Sequence, residues 1–177
     1  IMNDMLKLKQ ELVDICMLMH DQDAGIGEQA RLFLHELHGK DNNQIYNLFP
    51  NLVQRLAGME LTQEKFDGIV KTLVEYISKE KQKEAILEKM LHRLRDGSSQ
   101  EWRTIGGVLP HLRFTERMLS KTAEQYECWK ERMLDQNPLV HDSFRAVIAN
   151  CRKLQVGNAK MKSLVDELER AVNKASG

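Results

Sequence analysis

The chain has 177 residues, of which 42% are hydrophobic, 6% aromatic and 29% charged, and its 26 basic side chains balance 26 acidic ones. This length holds one ordinary domain or a few short repeats, and the high charge with few aromatics disfavours a β-sandwich. Three scattered cysteines, Cys16, Cys128 and Cys151, exclude a disulfide framework and point to a reducing compartment.

The longest unbroken apolar run covers residues 15–19, far short of a membrane span. No signal sequence opens the chain, which begins at Ile1 and is expected to be a piece of a longer polypeptide. Charge is uneven along it. Residues 1–41 carry four basic and eight acidic side chains, whereas residues 143–177 carry seven basic and three acidic ones. Such asymmetry can mark a surface that meets nucleic acid or an acidic partner.

Read for a period of 3.6, the sequence predicts helices near 2–20, 26–38, 43–57, 63–79, 81–96, 99–112, 115–134, 139–154 and 159–174, with no convincing strand. Alternate helices share an i, i+3, i+4, i+7 apolar template. It reads Ala30, Phe33, Leu34, Leu37; then Phe66, Ile69, Val70, Leu73; then Trp102, Ile105, Gly106, Leu109; then Phe144, Val147, Ile148, Cys151. The anchors at 30, 66, 102 and 144 step by 36, 36 and 42 residues, which suits helical hairpins of HEAT or armadillo type. The expected fold is therefore all-α, an α-solenoid of about four HEAT-like hairpins (2–38, 43–79, 81–112 and 115–154) with a terminal helix at 159–174. A compact helical bundle is the alternative.

Local signals support these divisions. Ser98 and Glu101 have capping-box spacing, Thr62, Thr115 and the pair Asn42-Asn43 are candidate N-caps, and Pro138 suits a first helical turn. Gly39, Gly58 and Gly157 suit helix ends, and Pro50 predicts a kink or restart inside its helix. The last helix carries Met161, Leu164, Val165, Leu168 and Val172 on one face, which must pack on something.

Few residue clusters suggest chemistry. Cys16-x-x-x-His20 and His35-x-x-His38 have a spacing that zinc permits, but a buried thiol and imidazoles near a helix C-terminus account for them. His141-Asp142-Ser143 holds the residue types of a hydrolase triad, yet consecutive helical residues diverge and form no relay. Gly106-Gly107 lacks the strand-to-helix setting of a phosphate loop and suits close helix packing. Trp102, Trp129, Tyr46, Tyr76 and Tyr126 are dispersed as core residues are, rather than as a base-stacking platform. No catalytic, metal or cofactor site is expected.

One charge feature stands apart. Residues 143–165 contain no acidic side chain, while Arg145, Arg152, Lys153, Lys160 and Lys162 flank the Gly157-Asn158 turn. Hairpin arms would bring these cations together as a candidate double-stranded DNA contact, tolerant of sequence and sensitive to salt. A second set, Lys79, Lys81, Lys89, Arg93 and Arg95, is interrupted by Glu80, Glu84 and Glu88.

Three ordered stretches carry a family resemblance: FLHELHGKDNNQIYNLFPNLVQRLAG, FDGIVKTLVEYISKEKQKEAILEKMLHRLR and QEWRTIGGVLPHLRFTERMLSK. Together they resemble the C-terminal HEAT region of the condensin complex subunit 1 family, the D-type non-SMC regulatory subunits, over residues 30–121 and more weakly beyond. The D-type subunit of the second condensin complex is similar in second place. Lys40-Asp41 stands where the family pattern has a Gly before the paired Asn, and Gly106-Gly107 replaces bulkier helix formers.

The resemblance implies a non-enzymatic scaffold that binds the kleisin subunit and the SMC ATPase subunits and supports DNA engagement in mitotic chromosome condensation. It implies residence in the nucleus and on mitotic chromosomes, with an interphase cytoplasmic pool, and neither a membrane nor a small-molecule substrate. The competing expectation is a transport or adaptor HEAT protein that recognises peptides without DNA.

Overall fold

The computed structural model describes the backbone of residues 2–41, 43–96, 99–136, 138–154 and 157–176. It describes their side chains except those of 2–6, 8, 9, 96, 99, 100, 103, 129, 131–136, 138, 139, 175 and 176. Asn42 as a cap, the Ser98 end of the capping box and the Trp129 side chain lie outside the described residues. Among the described residues every regular element is helical: α1 (Met2–Leu18), α2 (Ala24–Lys40), α3 (Gln44–Ala57), α4 (Gln63–Tyr76), α5 (Glu80–Asp96), α6 (Ser99–Val108), a 3-10 turn (Leu109–His111), α7 (Glu116–Gln136), α8 (Pro138–Leu154) and α9 (Ala159–Ser176). The all-α class expected from the sequence is the one found.

The chain divides into two compact units, Ile1–Gln82 and Lys83–Gly177. In the first, α1 packs on α2 and α3, and α3 packs on α4. Phe49, Leu52, Leu56, Ile69, Val70 and Leu73 are buried because α3 and α4 each present a continuous apolar stripe. Asp23 caps α2, its Oδ1 accepting from the N–H groups of Gly25 at 2.9 Å and Ile26 at 3.4 Å. Thr62 Oγ1 likewise accepts from Lys65 N–H at 3.2 Å and opens α4.

In the second unit α6 packs on α8, α7 on α8 and α9, and α8 on α9. Packing on the next and the next-but-one helix is the pattern of stacked helical hairpins. Trp102 is fully buried and donates its indole N–H to the Leu94 carbonyl at 2.9 Å. Tyr126 meets Phe144 edge-on, with centroids 5.4 Å apart. Thr115 Oγ1 accepts from Met118 N–H at 3.2 Å, as an N-cap of α7 should.

Several local expectations shift. The template residues of α4, α6 with its 3-10 turn, and α8 are all buried, but on α2 the buried stripe is Gly27, Ala30 and Leu34, which leaves Phe33 40% exposed. Gly39 does not end its helix, because α2 continues to Lys40 and is capped by Asp41. Gly58 caps α3 with an ordinary right-handed φ of −78°, whereas Gly157 adopts the left-handed φ of 94°. The predicted 99–112 helix tightens into a 3-10 turn at Leu109–His111, since Pro110 has no N–H for the helical ladder. Asn150 Nδ2 donates to the Pro110 carbonyl at 3.0 Å and ties that turn to α8.

Candidate functional site

The start of α9 is set by local backbone chemistry. Gly157 supplies the left-handed residue, and Asn158 Oδ1 accepts from Met161 N–H at 3.1 Å, which fixes the start of α9. Arg152 and Lys153 occupy the last turn of α8, where cations complement the helix dipole.

The five cations singled out by the sequence do not form one cluster. Arg145 and Arg152 share a face of α8 but stand two turns apart, roughly 10 Å along the axis. Arg145 lies close enough to His141 to depress its basicity, so it belongs with the Tyr126–His141 pair rather than with the turn. Lys160 and Lys162 are two residues apart and point to different sides of α9. Lys160 Nζ reaches Glu116 at the start of α7, at 3.0 Å, while Lys162 faces the α8 side beside Arg152.

Arg152 is committed to two carboxylates. Its guanidinium donates to Asp166 at 2.9 Å and also to Glu169, and these two bonds raise its already high pKa. The acid-free stretch of sequence is therefore not acid-free in space: Asp166 and Glu169, at i and i+3 on α9, return to meet it. Lys153 and Lys162 are exposed, and neither has an ion-pair partner among the described residues.

Beneath this turn lies a solvent-open pocket of about 420 Å³ with predominantly apolar walls. The buried Cys151, Met161 and Val165 form its floor, and the exposed Arg152, Gly157, Asn158, Ala159 and Lys162 complete its lining.

The other candidate constellations disperse. Cys16 is fully buried, and burial pushes its thiol up to about 12. His20 packs against Gly68 of α4, where a Cβ would lie 2.9 Å from its Nε2, while the His38 ring lies 5.4 Å from that of Tyr76. Eight residues of α4, roughly 12 Å of helix, separate those two docking points. Among the described residues no group of three or more His, Cys, Asp or Glu side chains could hold a metal ion.

His141 is buried and shares a hydrogen bond of 2.5 Å with the Tyr126 hydroxyl, whereas Asp142 is exposed and Ser143 abuts Gly106, so these three residues serve separate contacts. Burial, followed by the nearby Arg145 charge, lowers the His141 pKa, against the opposing pull of Asp142. Gly106 is a close helix contact, as its residue type suggests: a Cβ there would lie 3.0 Å from Ser143 Oγ and 3.4 Å from Val140 Cγ2. Of the second basic set, Lys79 donates to Asn43 Oδ1 at 3.2 Å. No helix among the described residues is long and apolar enough to cross a membrane.

Comparison with known proteins places these features in a family. Residues 1–110 match the family described as non-SMC mitotic condensation complex subunit 1. The chain is 33% identical over 177 residues to condensin complex subunit 1 of Xenopus laevis, covering 98% of the chain and 13% of that protein. It is 32% identical over 177 residues to the condensin-1 complex subunit CAP-D2 of Arabidopsis thaliana, covering 98% of the chain and 12% of that protein. To condensin complex subunit 1 of Homo sapiens it is 31% identical over 173 residues, covering 96% of the chain and 12% of that protein. The chain thus spans only about an eighth of the length of these relatives. No solved structure matches it. With a family match over more than half of its residues, the chain belongs to the condensin complex subunit 1 family of non-SMC mitotic condensation proteins.

Proposed function

We propose that this chain is part of a non-enzymatic helical-repeat scaffold of condensin, acting in mitotic chromosome condensation by holding the kleisin and SMC ATPase subunits. The observation that carries this reading is the likeness to condensin subunit 1 along nearly the whole chain. Stacked helices suit the role, since each helix is stabilised by its near neighbours and leaves outer faces available to partners. The working location is the nucleus and mitotic chromosomes, with an interphase cytoplasmic pool.

Double-stranded DNA is the further ligand of this reading. Of Arg145, Arg152, Lys153, Lys160 and Lys162, the exposed Lys153 and Lys162, unpaired among the described residues, lead the contact, while Arg152 and Lys160 are engaged by carboxylates and Arg145 lies by His141. Contacts of lysine with phosphate position a duplex without reading its sequence.

Reconstitution tests the scaffold reading: the full-length subunit should co-purify with kleisin and SMC heads, and failure to associate rejects it. Duplex binding at low salt tests the DNA reading. Reversing the charge of Lys153 and Lys162 should weaken it, and unchanged affinity in the folded variant removes this turn as the contact.

A further inference from the structure

We propose that the pocket under the α8–α9 turn seats an apolar side chain of an acidic peptide segment from a protein partner. This rests on the scaffold reading above and names the chemistry of one segment that the scaffold would hold.

Size comes first. A closed apolar cavity of about 150 Å³ admits benzene, so a pocket of about 420 Å³ with apolar walls has room for one or two side chains of a peptide. Its floor of Cys151, Met161 and Val165 offers dispersion contacts and no hydrogen-bonding side chain other than a thiol that burial keeps protonated. Leu154 lies three residues beyond Cys151 on the same side of α8 and is 64% exposed, an apolar side chain left to solvent at that helix end.

Charge then selects the peptide. Lys162 lines the pocket, exposed and unpaired among the described residues, while Arg152 in the same lining is held in place by Asp166 and Glu169; Lys153, likewise exposed and unpaired there, follows Arg152 in the last turn of α8. Acidic side chains flanking an apolar anchor would meet Lys162 as the anchor enters, with Lys153 at the end of α8 adding to the positive field. A nucleic-acid duplex answers only half of this arrangement: its phosphates suit the lysines, but its backbone has nothing apolar to place on the floor. Among the described residues the pocket lining includes no aromatic side chain on which an unpaired base could stack. Gly157 at φ 94° and the Asn158 cap fix the start of α9, so little ordering of that helix end accompanies binding.

Selection of a random peptide display library on the full-length protein tests the proposal. Enriched sequences should carry Asp or Glu around a Leu, Ile, Met or Phe. The best of them, followed by fluorescence anisotropy, should lose at least about tenfold in affinity for the Ala159→Trp variant, as expected when an anchor pocket is filled.

Duplex DNA binding should be unchanged by Ala159→Trp, which alters no charge, so the pocket and the DNA reading fail separately. The pocket result is likewise independent of kleisin and SMC association. Should Ala159→Trp fold poorly, Ala159→Glu is the second variant: a carboxylate suits the first turn of α9 and repels an acidic peptide. Maleimide labelling of Ala159→Cys, read by peptide mapping, should be fast in the full-length protein. Enrichment without the acidic-apolar pattern, affinity indifferent to both variants, or protection of that cysteine by another part of the same polypeptide would overturn the proposal.

Discussion

At the scale of single residues, two glycines of the same helical status carry opposite consequences. Gly106 faces α8 so closely that a Cβ would lie 3.0 Å from Ser143 Oγ, whereas a Cβ at Gly39 would meet nothing within 4 Å. Gly106→Leu should cost about 1–3 kcal/mol through overpacking. Gly39→Ala should stabilise, by less than the roughly 0.5–1 kcal/mol of a mid-helix glycine because Gly39 is the penultimate residue of α2. Urea unfolding of the two variants checks the contrast, and shifts of the same sign would defeat it.

His141 yields a pH prediction at the same scale. Its folded pKa lies below the usual 6.5, chiefly through burial, so the folded state holds fewer protons than the unfolded chain in the window between the two values. Stability contributed by neutral His141 is complete above about pH 6.5 and declines as the pH falls toward the folded value. Urea midpoints taken from pH 8 down to pH 5 should fall less steeply in His141→Gln than in the parent chain. Parallel profiles would assign the acid sensitivity elsewhere.

At the scale of elements, punctuation was legible wherever one residue type has one local use. Thr62 and Thr115 cap their helices, and Pro138 stands at the first position of α8. Where a side chain has two uses, tertiary structure chose. Asn43 sits at the cap position of α3 but makes no capping bond; its Oδ1 instead accepts from Gln82 Nε2 at 2.7 Å and Lys79 Nζ at 3.2 Å. That choice depends on residues nearly forty positions away, which no local spacing encodes. Pro50 similarly falls inside a continuous α3 rather than at a restart, the flanking apolar stripe holding the helix together where the proline removes a donor.

Asn43→Ala should cost about 0.5–1.5 kcal/mol, the usual net worth of an intramolecular hydrogen bond. Asn43→Asp keeps the acceptor oxygen and adds a charge facing Lys79, so it should recover the loss. Equal destabilisation by both substitutions, read from chemical unfolding, would show that the bridge to Gln82 and Lys79 contributes nothing.

For the molecule as a whole, the all-α class followed from apolar periodicity, because the 3.6-residue stripe is what each helix buries. The charge surface did not follow from counting. A one-dimensional window ending at residue 165 excluded Asp166 and Glu169, whose place on α9 brings them back to Arg152, and Glu116, which reaches Lys160 from the start of α7. DNA binding should obey the folded arrangement. Each phosphate contact contributes roughly 0.9 to the slope of log affinity against log salt. Lys153→Gln with Lys162→Gln should therefore flatten that slope by about 2. The converse experiment is the sharper one. Asp166→Asn with Glu169→Gln releases the Arg152 guanidinium, removes two carboxylates that repel phosphate, and should both tighten duplex binding and steepen its salt dependence. Stability should change little, since ion pairs this exposed contribute about 0–1 kcal/mol. If binding is unaltered by freeing Arg152, the duplex does not approach the α8–α9 turn, and the cations there serve protein contacts alone.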